Sequence, residues 1–266
     1  MIDSHLHSKH SHDGDMTLSE IVERAKELNI EYVAVTEHLD MDMLFCQDTE
    51  RKIKQLDIEQ YRKEFSQLRE NNKNLAFGLE LGYSKKAASL YASLLAKYHF
   101  DILINSVHML DDDDLYFLLP RNQPLIKTSL YRKYLETVLD SITPGYDFDV
   151  VGHIGYVARY VTYSDKSLYC LETADLIDEI LKRVINTDKT IELNSAVKSL
   201  PQVTIPEQQI ILRYRELGGE NITFSSDAHR VNRIAENYQD IADIAKNAGF
   251  RYWTIYFDRY PKRIKI

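Results

Sequence analysis

Several things are scarce in this sequence. It has two cysteines, Cys46 and Cys170, far apart and without CxxC spacing. That spacing predicts no disulfide and fits a reducing, cytoplasmic setting. No apolar run approaches the roughly 20 residues of a membrane span. The N-terminus lacks the basic-then-apolar order of a secretory signal. Basic residues are outnumbered, 33 against 41 acidic, for a net charge of −8. A nucleic-acid polymer usually meets a basic face, so that partner class is not expected, whereas a small phosphorylated substrate held through cations is compatible. No stretch is rich enough in Gly, Pro or Ser to read as a linker. No short repeat is visible, and the one low-complexity run, Asp111–Asp114, reads first as a solvated loop. What remains is ordinary for a soluble globular chain: 266 residues, 44% hydrophobic and 28% charged. We read residues 1–266 as a single domain with a substantial core.

Histidine, in contrast, is concentrated. Four of the nine fall within eight positions of the opening, Met1-Ile-Asp-Ser-His-Leu-His-Ser-Lys-His-Ser-His-Asp-Gly14. In an extended segment, side chains at i and i+2 point to the same side, so His5 and His7 can face one metal ion. His10, His12 and Asp13 follow as further candidate ligands.

Strands and helices alternate along the chain. Ile2–His7 reads as a strand, and Thr17 with Glu20 forms a capping box that opens a helix burying Ile21, Val22, Ala25 and Leu28. Tyr32–Thr36 is a β-prone run buried on both faces, with Glu37 and His38 at its end. A helix over 58–72, a strand Leu75–Leu79 ending in Glu80, and a helix over 87–97 come next. Asp101–Asn105 is a strand followed by His108, and 111–124 is the longest loop candidate. A helix over 129–142 and a short strand Phe148–Val151 lead to Gly152-His153. The remaining elements are a helix over 174–185, a strand Thr190–Asn194, a helix over 206–217 with its proline near the start, and a strand Asn221–Ser225 that runs into Asp227 and His229. A last helix over 234–248 precedes the run Tyr252–Phe257. This alternation means parallel strands joined by helices, and seven or eight such units in this length favour a closed α/β barrel.

On that scaffold His5, His7, His38, Glu80, His108, His153, Asp227 and His229 all lie at or just beyond the C-terminal ends of strands, the face where such barrels build active sites. A lone histidine after a strand is ordinarily structural; the same placement on six strands is a site. Only His99 falls outside the pattern, and neither cysteine joins it. Counting one ligand from His12 or Asp13 gives nine candidates. Zinc usually takes about four, so the set implies two or three divalent ions sharing bridging groups, and imidazole with carboxylate suits zinc, manganese or iron.

These residues also carry a resemblance. His5-Leu-His7, Thr36-Glu-His38, Gly78-Leu-Glu80, Ser106-Val-His108, Gly152-His153 and Ser226-Asp-Ala-His229 resemble, in order and spacing, the motifs of the polymerase-and-histidinol-phosphatase (PHP) superfamily. More narrowly, Gly78-Leu-Glu-Leu-Gly-Tyr83, Asn105-Ser-Val-His108 and the Tyr256-Phe-Asp-Arg ending resemble its monofunctional histidinol-phosphatases. The resemblance implies a distorted (β/α)7 barrel with a trinuclear centre. It places His5, His7, Glu80 and Asp227 on one ion, Glu80, His108 and His153 on the second, and Asp13, His38 and His229 on the third. For the last set His12 is the alternative to Asp13. Arg159 resembles the family's phosphate-binding arginine, and Lys198 stands where the family often has another arginine; as a lysine it lacks the bidentate fork. Asp227 or His229 would assist proton transfer to the leaving alkoxide.

The expected activity is hydrolysis of L-histidinol phosphate to L-histidinol and phosphate in histidine biosynthesis. Its competitors are a PHP phosphatase for another phosphoester, such as phosphotyrosine or a nucleotide, and a metal-binding barrel without catalysis. The complete ligand set speaks against the last, because decay would first erase some ligands.

Overall fold

The protein is described from a computed structural model covering residues 1–45, 55–116, 119, 126–197, 200 and 202–266. Strands β1 (Ile2–Leu6), β2 (Tyr32–Leu39), β3 (Leu75–Gly82), β4 (Ile102–Ser106), β5 (Val150–Val151), β6 (Thr190–Asn194) and β7 (Ile222–Ser225) lie side by side in chain order, each neighbouring pair parallel. Helices α1 (Leu18–Glu27), α2 (Ile58–Arg69), α3 (Ala88–Leu95), α4 (Lys127–Ser141), α5 (Ala174–Asn186), α6 (Gln208–Glu216) and α7 (Tyr238–Asn247) connect them or follow them. The barrel strands are buried almost throughout, which explains why they read as continuous apolar runs. Their helices bury one stripe each: α5 buries Leu176, Ile177, Ile180, Leu181 and Val184. The Thr17–Glu20 capping box opens α1 as the sequence predicts. Among the described residues no helix is long and apolar enough to cross a membrane.

The barrel is distorted where it closes. β7 and β1 share no full ladder; they meet at one bridge, Leu6 with Ala228, where His7 N–H donates to Ala228 O (3.0 Å) and Asp227 N–H to His5 O (2.9 Å). A side chain completes the seam. The buried Asp3 carboxylate accepts from Ser226 N (2.9 Å), Ser226 Oγ (2.6 Å) and Ala235 N (2.9 Å). β5 is only two residues long, shorter than the Phe148–Val151 expected.

At the N-terminal ends of the strands a hairpin covers the barrel. β8 (Tyr252–Phe257) does not join the parallel sheet but pairs antiparallel with β9 (Tyr260–Lys265), an element the sequence reading lacked. Its two turn residues, Asp258 and Arg259, both have positive φ, the geometry a two-residue hairpin turn demands. Asp258 N–H donates to Asp101 Oδ1 (2.8 Å), and Arg259 Nε to Asp149 Oδ2 (2.5 Å). Arg69 completes the network on Asp101 (2.6 Å), so the Asp258-Arg259 pair is an anchor under the barrel.

Other boundaries also differ from expectation. β2 and β3 run on through Leu39 and Gly82, so His38 and Glu80 lie within the strands rather than at or just beyond their ends. α6 starts at Gln208, after Pro206, because Ile205 is held in a bridge to Asn194. α7 starts at Tyr238, since Ala235 and Asn237 take positive φ. The aspartate run is part of a small ribbon: Asp111 and Asp112 form its turn, and Asp113–Asp114 pair with Met109–Leu110.

Candidate metal centre

Strand geometry brings the sequence-selected residues to one point. Gly78 allows β3 to approach its neighbours: a Cβ there would stand 2.7 Å from both Thr36 Cγ2 and Ile102 Cγ2. Two residues on, Glu80 points into the C-terminal mouth and is surrounded by imidazoles. Its Oε2 lies 3.2 Å from His5 Nε2, 3.5 Å from His7 Nε2 and 2.9 Å from His38 Nδ1. Its Oε1 lies 2.9 Å from His153 Nε2 and 3.2 Å from His108 Nε2. Gly152 is similarly required beside His153, since a Cβ there would meet Ser106 Oγ at 2.1 Å.

A second carboxylate closes the other side. Asp227, held at positive φ, places Oδ1 3.5 Å from His7 Nε2 and 3.9 Å from His5 Nε2. Asp13 lies between His38 (3.6 Å) and His229 (3.2 Å). His12 stands one step farther out, its Nε2 3.9 Å from Asp13. His10 turns away to Glu64 (3.0 Å) against Tyr61, outside the cluster. His99 is exposed, as expected of a residue outside the pattern.

Arg159 enters from the segment after β5, buried beside the Tyr156 ring. It donates to Asp227 Oδ2 (3.3 and 3.4 Å) and to Asn194 Oδ1 (3.0 Å), while its Nε has no partner among the described residues. Lys198 lies outside the described residues, as does Cys46.

Sequence reasoning missed the groups behind the histidines. Glu192, buried in β6, receives His5 Nδ1 (2.6 Å), the His153 N–H (2.5 Å) and Ser225 Oγ (2.5 Å). A lone acid within the apolar run Thr190–Asn194 was its available signal. Asp40 lies 3.1 Å from His108 Nδ1 and 3.5 Å from His38 Nδ1. It stands at i+2 from His38, the same alternation that pairs His5 with His7.

The electrostatics separate carboxylates from imidazoles. Burial pushes the pKa of Glu80 up, but His5, His108 and His38 outweigh it and hold the group well below the carboxylate range. Asp227 is held low in the same way, against burial, by His5, His7 and Arg159. Burial, with His38 and His229, drives His7 well below its ordinary value, and burial lowers His153. His5 is raised well above the imidazole range despite burial, by Glu80, Glu192 and Asp227.

This arrangement fits metal ions. Glu80 Oε2 is buried and close to three ring nitrogens, yet none of them makes an aligned hydrogen bond to it. Four groups of three, His5/His7/Glu80, His7/His38/His229, His38/Asp40/His108 and Glu80/His108/His153, hold their donor atoms within 4.8 Å of one another. Imidazole and carboxylate without thiolate suit zinc, manganese or iron.

A sequence model of the PHP domain matches residues 3–196, most of the chain. The chain belongs to the PHP domain family. Among PHP relatives, the probable histidinol-phosphatase of Clostridium acetobutylicum is 29% identical over 260 residues, covering 97% of each chain. The histidinol-phosphatase of Lactococcus lactis is 27% identical, covering 99% of this chain and 98% of its own. The histidinol phosphate phosphatase structure from Lactococcus lactis, in complex with zinc, L-histidinol and phosphate, superposes with a TM-score of 0.87 at 26% identity, covering 98% of both chains. A Listeria monocytogenes structure (TM-score 0.78, 20% identity, 90% of this chain and 99% of that one) shares the PHP fold.

Proposed function

We infer that this PHP protein is a metal-dependent phosphomonoesterase that hydrolyses L-histidinol phosphate to L-histidinol and phosphate, in the cytoplasm, with residues 1–266 acting as one unit. The observation that carries the reading is the ring of five imidazoles around Glu80 with a buried arginine beside it. Full-length similarity to relatives named for this activity supports it.

Two or three divalent ions would be held by His5, His7, Glu80 and Asp227, by Glu80, His108 and His153, and by Asp13, His38 and His229. The zinc in the Lactococcus lactis complex favours zinc among zinc, manganese and iron. Bound there, the ions supply a water acidic enough to attack near neutral pH and charge to offset that of the phosphoryl oxygens. Arg159 binds the phosphate with a fixed guanidinium, and Asn194 and Asp227 orient that guanidinium. Lys198 is the second candidate for the phosphate. Asp227 or His229 carries the proton to the leaving alkoxide.

The other end of the substrate is cationic and aromatic. Tyr156 packs at a tilt against His108 and His153 (ring centroids 5.2 and 4.9 Å), its hydroxyl accepts from that of Tyr160 (3.0 Å), and Tyr116 meets Tyr160 edge-on. Asp114 accepts the Tyr116 N–H (2.8 Å). Rings and a carboxylate at this edge suit an imidazole and an ammonium group. Phosphate release from histidinol phosphate, phosphotyrosine and a nucleoside monophosphate, with elemental analysis of the same protein, tests the reading. Preference for histidinol phosphate by a metal-loaded enzyme is expected; equal or better turnover of another ester would replace the substrate, and no turnover by loaded protein would end the catalytic reading.

A further inference from the structure

Ser11 lies between His10 and His12 in the histidine-rich opening, but its own contacts lead elsewhere. The loop after β1 doubles back, with Ser11 N–H donating to Ser8 O (3.0 Å), and buries Ser11 beneath His7. Ser11 Oγ meets three groups. It is in very close contact with Glu37 Oε2, it lies 3.0 Å from the His38 main-chain nitrogen, and it lies 3.2 Å from His7 Nδ1.

The hydrogen-bonding capacity of a hydroxyl decides the direction of each contact. It has one proton to give and two lone pairs to accept with. The His38 N–H can only donate, which uses one lone pair. Glu37 accepts from Ser8 N (3.1 Å), Ser8 Oγ (2.5 Å) and Ser11 N (3.0 Å) as well as Ser11 Oγ. Three donors besides the Ser11 hydroxyl already converge on its two oxygens, the surroundings of a carboxylate that accepts at every contact. The single Ser11 proton is therefore spent on Glu37. The remaining contact can form only if His7 Nδ1 is the donor.

We propose that Glu37, acting through the Ser11 hydroxyl, fixes the proton of His7 on Nδ1 and so aims a bare Nε2 at the metal cluster, making Glu37 and Ser11 positioning residues. The proposal rests on the metal-centre reading above. His5 is set in the same sense by Glu192 at its Nδ1 (2.6 Å). The two Nε2 atoms then face each other 2.9 Å apart, a contact that needs a proton or a metal cation between them. Carboxylates behind ligand histidines commonly fix tautomer and ring orientation in this way; here one of them works at one remove, through a serine.

The test uses the full chain labelled with 15N-histidine. In the wild type, metal-free and zinc-loaded, His7 should appear as the Nδ1–H tautomer. Ser11→Ala should give a mixture of tautomers, and chelator competition should show zinc held about 10–100-fold more weakly. Ser8→Ala is the structural control, since it removes an equally buried hydroxyl from Glu37 without touching an imidazole; it should weaken zinc by less than about threefold. A wild-type His7 protonated on Nε2, or Ser11→Ala and Ser8→Ala weakening zinc equally, would overturn the proposal. If the wild type binds no zinc, the metal-centre reading fails, while the tautomer of His7 still decides the relay.

Discussion

Glu80→Gln isolates the charge at the middle of the candidate site. Gln has the same shape, so the packing of β3 is kept, but it has one carbonyl oxygen where Glu80 has two equivalent anionic atoms. Those two oxygens stand 2.9–3.5 Å from nitrogens of five histidines. At about 3.2 Å and an effective dielectric near 20, each such pair with a charged partner is worth roughly 5 kcal/mol before desolvation. Breaking a buried pair nets roughly 3–5 kcal/mol. Two candidate ions share this residue, so the substitution weakens both, and a loss of only about 2.7 kcal/mol per site corresponds to a hundredfold. The amide nitrogen also turns a donor toward atoms that must present lone pairs. We expect dialysed Glu80→Gln protein to lose at least one metal ion per chain and its kcat/KM to fall by more than about a hundredfold, with circular dichroism unchanged. The assays are elemental analysis and phosphate release on the same preparation. Full metal content with turnover within about threefold of wild type would refute the bridging role and the reasoning from charge.

Four further outcomes follow from the geometry. Arg159→Ala should remove a charge-assisted contact of about 1.5–3 kcal/mol, lowering kcat/KM at least about tenfold on both histidinol phosphate and an aryl phosphate while metal content stays near normal; a loss confined to histidinol phosphate would make Arg159 a reader of the rest of the molecule. Adding zinc to metal-free protein in weak buffer should release protons, because His38 has a pKa raised to about 10, by Asp40 and Glu80 against burial, and is charged at neutral pH; no pH change on loading would contradict that charge state. Arg259→Ala should strand Asp149 under the barrel and cost about 2–3 kcal/mol, read as a lower thermal midpoint with turnover preserved; an unchanged midpoint would show the anchor is not structural. Burial raises the Asp3 pKa to about 6, so between about pH 4 and pH 6 the folded state binds the extra proton and stability falls as pH rises; Asp3→Asn should abolish about 3 kcal/mol of that decline, as measured by urea unfolding across the interval.

The ends of the strands were legible because their chemistry departs from their surroundings. A histidine or carboxylate after an apolar β run stands out, and barrel topology then supplies the convergence of His5, His38, Glu80, His108, His153 and Asp227 without any pairwise information. The helices of the barrel were legible for the same reason, one apolar stripe each. The supporting groups were harder to find. Glu192 and Asp40 are single acids whose role depends on which imidazole lies behind them, and that is set by strands far apart in sequence. Ser11 is less visible still: its meaning is a count of protons and lone pairs, which exists only once three segments are in contact. The closing hairpin failed for another reason. Tyr252–Phe257 has the composition of a barrel strand, and only the positive-φ turn at Asp258-Arg259 sends the chain back antiparallel.

The two ends of this barrel carry similar residues and do opposite things with them. At the N-terminal end, Asp101 and Asp149 are each met by a main-chain N–H and an arginine: Asp101 by Phe77 N (2.7 Å) and Arg69, Asp149 by Leu103 N (2.8 Å) and Arg259. Every strong acceptor there has its donor, and such a network stabilises the fold and offers nothing to a ligand. At the C-terminal end the buried groups crowd together without pairing off in the same way. Glu80 Oε2 and His153 Nδ1 are buried without an aligned partner, and His5 and His7 turn their Nε2 atoms on each other. A fold that satisfies its buried polar groups this thoroughly at one end does not leave them unsatisfied at the other by neglect, since each unmade bond costs about 1–3 kcal/mol. Carboxylates and imidazoles this close need positive charge between them, which protons on the rings supply in the metal-free protein and divalent cations would supply in their place.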